Sequence, residues 1–84
     1  MKVYTALLIT YEKPHVPLDV IARDYLPHWS DREVKRRAKV QNLPFPVFRE
    51  SSQKAAYLVD LKDVAAWLES MRESATQLHQ RMAG

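Results

Sequence analysis

The 84-residue sequence contains no cysteine. Disulfides, thiolate chemistry and cysteine-based zinc sites are thereby excluded. The only glycine is Gly84, so no glycine-rich loop exists to cradle a phosphate. The longest apolar run, Ala6 to Ile9, is far too short to cross a bilayer. The N-terminus offers one lysine and no long apolar stretch, which predicts a chain without a secretion signal. His15, His28 and His79 are scattered and form no i, i+4 pair, so no metal site is expected. Ser51 and Ser52 have no base nearby in sequence, and Asp19 and Asp24 suit capping or pairing with Arg23. These absences predict a soluble cytoplasmic protein that is not an enzyme and carries no cofactor.

The charge that is present is unevenly placed. Between Arg32 and Lys54 lie seven basic side chains against Glu33 and Glu50, a local balance of +5 in a chain whose formal total is +3. A concentrated basic region points to a polyanionic partner more than overall charge does.

Tyr4, Leu7, Leu8 and Tyr11 recur at helical spacing, although "KVYTALLITY" would also suit a strand. "EKPHVP" (Glu12 to Pro17) reads as a connector, because its prolines remove backbone donors. Leu18, Ile21, Ala22 and Tyr25 predict a second helix, ended by Pro27. Ser30 and Glu33 form a capping box that opens a third helix, from Ser30 to Asn42. Pro44 and Pro46 stop it. "PVFRE" and "AAYLV" (Ala55 to Val59) predict two strands around a polar tip, "SSQK". Asp60 then caps a long final helix, with residues 73–84 as a C-terminal extension of one domain spanning residues 1–84.

This order predicts an α+β, mostly helical fold: a winged helix-turn-helix with a two-stranded wing. On a helical wheel of the Ser30–Asn42 segment, Val34, Ala38 and Gln41 share one sector. Arg32, Lys35, Arg36 and Lys39 occupy the opposite side. Arg37 lies beside the apolar sector, placed to pair with Glu33 or to lie along apolar surface. A solvated helix face explains charges alone. A face of one sign, on the helix after a turn and beside a wing, predicts binding to double-stranded DNA. Arg49, Ser51, Ser52, Gln53 and Lys54 would meet the backbone or minor groove. Trp29 and Trp67 are expected to pack in the core, and Phe45 to plug it beneath the wing rather than stack on bases.

Several segments together resemble the pyocin activator protein PrtN family of phage-derived transcription activators. They are "PLDVIARDY" (Pro17 to Tyr25), "LPFPVFR" (Leu43 to Arg49), "SQK" (Ser52 to Lys54) and "VDLKDVAAWL" (Val59 to Leu68). The similarity runs from about Thr5 to about Arg72, and reaches more distantly to excisionase and MerR-type winged helices. It implies promoter binding and activation of phage-tail-like bacteriocin or prophage genes. It also implies that the third helix and the wing touch DNA, with RNA polymerase as a further partner. Lys35, Arg36 and Arg37 replace the aromatic-containing pattern of many excisionase-like helices, so the DNA sequence read must differ. An excisionase-like factor that bends DNA, or a basic module that docks an acidic protein, remains open at this level.

Leu61, Val64, Leu68, Met71, Ala75, Leu78 and Met82 alternate by three and four residues. The first half suits the domain's own core. Ala75, Leu78 and Met82 would either fold back on Leu7, Leu8 and Tyr11 or meet those surfaces in a second protomer. A dimer is the expectation, because it buries area that a short chain cannot bury alone and supplies two half-sites.

Overall fold

The computed structural model describes residues 2–49 and 56–83. The architecture is α+β and mostly helical. Helix α1 (Lys2–Tyr11) is followed by strand β1 (His15–Pro17) and helix α2 (Leu18–Tyr25). Helix α3 (Asp31–Lys39), strands β2 (Phe48–Arg49) and β3 (Tyr57–Asp60), and helix α4 (Leu61–Ala83) complete the order.

The segment expected to be a connector holds a strand. β1 pairs antiparallel with β3, placing Val16 opposite Val59, and β2 pairs with the other side of β3. The sheet order is β1-β3-β2. Proline tolerates this position because β1 is an edge strand, where a missing N–H need not interrupt a ladder. The Pro14 carbonyl accepts the Leu61 N–H at 2.9 Å, so the β1 approach also ties the start of α4. The two expected wing strands are shorter and shifted. β2 begins only at Phe48, after the two prolines, and β3 extends to Asp60. Residues 50–55, which include the "SSQK" tip, lie outside the described residues.

One apolar cluster joins these elements. Ile21, Val59, Leu61 and Val64 are fully buried, with Leu7, Val34, Ala38 and Phe45 around them. Phe45 does plug the core: its ring meets Trp67 edge-on at 5.5 Å, and Trp67 meets Tyr25 at 6.4 Å. The helical spacing in α1 has the same origin. Leu7 is buried while Tyr4, Leu8 and Tyr11 pack against the cluster. Tyr11 donates its hydroxyl to Asp24 at 2.6 Å. Burial, and then this hydrogen bond to a carboxylate, push its pKa above the ordinary tyrosine range.

Leu7 was expected at an oligomer surface, but it is sealed inside the single chain, as a residue at the centre of the α1 contact face must be. The fold-back of the C-terminal end onto α1 is not made either. α4 is continuous, all described residues from Ser70 onward are exposed, and Leu78 and Met82 keep 57% and 81% of their surface. At 1.5 Å per residue this 23-residue helix is about 35 Å long.

α3 stops three residues before the expected Asn42. Asn42 N–H bonds the Arg37 carbonyl at 2.9 Å and Gln41 N–H bonds the Ala38 carbonyl at 3.2 Å. That pair of bonds is a Schellman closure, which needs a left-handed residue at its turn. Gln41 takes that place with φ 54°. It therefore leaves the buried sector shared by Val34 and Ala38. Its amide instead donates to the Val47 carbonyl at 3.2 Å and accepts the Val47 N–H at 3.3 Å. The clamp fixes the chain entering β2 against the end of α3.

Gln41→Ala should lower stability by about 1–3 kcal/mol, because it removes both clamp bonds and keeps a Cβ in the left-handed region. Gln41→Gly should be more stable than Gln41→Ala by about 1 kcal/mol. Chemical denaturation midpoints at an unchanged m-value would check the order.

Candidate nucleic-acid interface

α3 begins at Ser30, whose extended backbone lets Oγ accept the Glu33 N–H at 3.2 Å. This half of the capping box contributes about 1 kcal/mol of helix stability. The other half is not made. Glu33 turns its carboxylate forward along the helix instead of back to the Ser30 N–H.

The forward turn is set by spacing. Arg36 is three residues on and Arg37 four, both on the same face as Glu33. Arg36 Nε donates to Oε2 at 3.0 Å, and its Nη2 donates to Oε1. Arg37 Nε donates to the same Oε1 at 2.8 Å. The arginine donors hold the Glu33 carboxyl down at about 2, the Arg36 bond first and then the Arg37 bond. Arg36 is raised in turn by the hydrogen bond to Glu33. The Arg37 guanidinium also lies 4.2 Å over the Trp29 ring. Arg37 is thus paired and laid on apolar surface, as its wheel position predicts. Trp29 itself is half-buried, beside His28.

Arg32, Lys35, Arg36 and Lys39 are all exposed, while Val34 and Ala38 between them are buried. The four cations thus share the exposed side of α3, with Arg36 paired to Glu33 at its edge. Among the described residues no ion pair engages Arg32, Lys35 or Lys39. Arg49 joins from β2, directly opposite Tyr57 in the register, with its guanidinium 4.2 Å over that ring. An open cleft of about 530 Å³ separates the two elements. Lys35 and Lys39 line it from α3, Arg49 and Tyr57 from the sheet, and Asp19 and Asp31 bring acidic groups. Ser51, Ser52, Gln53 and Lys54 lie outside the described residues.

Sequence reasoning missed three features. The Arg36–Glu33 pair was available from i, i+3 spacing. The stacking of Arg49 on Tyr57 needed the strand register, and the Gln41 clamp needed the helix end. Among the described residues no cluster of three metal-ligating side chains occurs, and no helix is long and apolar enough to cross a membrane.

Comparison with known families decides the affiliation. The family described as pyocin activator protein PrtN matches residues 4–75. The chain belongs to that family. The match runs from Tyr4 within α1 to Ala75, about two-thirds of the way along α4, and includes all of α3 and both strands of the β2–β3 ladder. Neither curated proteins nor solved structures gave a significant match.

Because the folded Glu33 pKa is depressed, its pairing stabilises the fold above the ordinary glutamate range and is lost as pH falls toward 2. The melting temperature of the wild type should exceed that of Glu33→Gln near neutral pH. The gap should close on acidification to about pH 2, which thermal scans across that range would read.

Proposed function

We propose that the chain is a winged helix-turn-helix transcription activator of pyocin or other prophage genes, acting at the nucleoid rather than catalysing a reaction. In this reading α2 and α3 form the helix-turn-helix and the β2–β3 ladder is the base of the wing. α3 enters the major groove of double-stranded DNA. Arg32, Lys35, Arg36 and Lys39 face the duplex from α3. Arg49 and the wing-tip residues Ser51, Ser52, Gln53 and Lys54 meet its backbone or minor groove. The observation that carries the reading is the exposed cluster of Arg32, Lys35, Arg36 and Lys39 on α3, with Lys35 and Lys39 opposed across an open cleft by Arg49. Family membership supports the regulatory role, and RNA polymerase is a natural second partner of an activator.

The working unit is a homodimer. The apolar positions of α4 continue in the same three–four alternation from the buried Leu61 and Val64 out to Ala75, Leu78 and Met82. The second copy of α4 is the occupant that matches such a seam, since a repeat of this kind is complementary to itself. Glu69, Arg72, Glu73 and Arg81 flank it with both signs, so no net repulsion opposes the pairing. Leu8 and Tyr11, on the helix that packs against α4, would add to this interface from their exposed parts.

Lys35→Ala and Lys39→Ala should each reduce the slope of log affinity against log salt by about 0.9 on duplex DNA. Anisotropy titrations over a salt series measure this, and an unchanged slope in the double variant would sink the α3 assignment. Light scattering should show a dimer for the wild type and a monomer for Leu78→Asp. A monomeric wild type at high concentration removes the dimer.

A further inference from the structure

We propose that Glu33 is a positioning residue that fixes Arg36 as the base-reading donor of α3, and that the group Arg36 reads is a guanine. The inference rests on the DNA-binding reading above.

Arg36 meets Glu33 through one long edge of its guanidinium, with Nε on Oε2 and Nη2 on Oε1. The end edge, Nη1 with the second N–H of Nη2, is not used by that contact. The side chain keeps 63% of its surface. An end edge presents two parallel N–H groups, and the guanine O6 and N7 acceptors match that spacing in the major groove. A free arginine would lose rotamer freedom on making such a contact. Here the carboxylate has already restrained it.

The carboxylate is itself held. Its Oε1 also accepts from Arg37, whose guanidinium is stacked on Trp29. Contacts thus run without a gap from the turn before α3 to the exposed head of Arg36. Arg32, Lys35 and Lys39 have no such partner among the described residues, which suits mobile point contacts to phosphate.

The alternative account of Glu33 makes an opposite prediction. A carboxylate on a DNA-facing helix repels phosphate, so its removal should tighten binding to every duplex alike. The experiment compares wild type, Glu33→Gln and Arg36→Lys. One probe is the duplex that wild type enriches from a random-sequence pool, and the other is a scrambled duplex of the same composition. Glu33→Gln should bind the scrambled duplex at least as well as wild type, yet its enriched-to-scrambled affinity ratio should fall by about tenfold. Arg36→Lys should keep the salt slope and lose a guanine preference at one position of a repeated selection.

An equal gain on both duplexes for Glu33→Gln overturns the proposal, as does a retained guanine preference in Arg36→Lys. Wild-type binding without any enriched sequence also overturns it, while leaving the DNA-binding reading intact. No DNA binding by wild type overturns both. Circular dichroism melts confirm that each variant is folded, and Arg36→Lys carries the test if Glu33→Gln is not.

Discussion

The double pairing of β3 is the constraint on which the rest depends. Four residues, Tyr57–Asp60, bond β1 on one side and β2 on the other. Through β1 they hold α2, and through β2 they hold the chain that leaves α3, while α1 packs on α4. Val59, opposite Val16, is fully buried at the centre of this arrangement. Pairing at so few positions cannot hold a sheet alone. The sheet persists because Ile21, Leu61 and Val64 cover its inner face, and their burial supplies the hydrophobic free energy that short ladders lack.

A second constraint is chemical. With no glycine before Gly84, every tight helix end must be made by a residue with a side chain. Among the described residues two take the left-handed conformation, Glu12 at φ 64° and Gln41 at φ 54°. Each conformation costs roughly 1–2 kcal/mol relative to an ordinary backbone. At Gln41 the side chain gives two hydrogen bonds in return. At Glu12 the return is the bond from its N–H to the Leu8 carbonyl, at 2.8 Å, which closes α1.

The legible parts of this structure were those governed by local spacing. Ser30 announced the start of α3, and the wheel placed Val34 and Ala38 inside and four cations outside. Phe45 between two prolines was read correctly as core. Interactions that depend on distant pairing were not legible. β1 was read as a connector because its partner lies more than forty residues away. Arg49 was read as a wing contact, yet its restraint by Tyr57 follows only from the ladder register. Gln41 was assigned to the buried sector because a wheel assumes that the helix continues, and it stops at Lys39.

β3 ends at Asp60 and α4 begins at Leu61, with no residue between them. Asp60 belongs to both: its backbone is in the ladder, its Oδ1 accepts the Lys62 N–H at 2.8 Å, and its Oδ2 faces His15 at 3.6 Å. A junction with no slack transmits rotation. For a helix about 35 Å long, a tilt of about 10° at β3 displaces the far end by about 6 Å. The strand therefore aims the helix: with Leu61, Val64 and Ala65 buried just beyond the junction, the direction of β3 fixes where Met82 lies relative to the sheet.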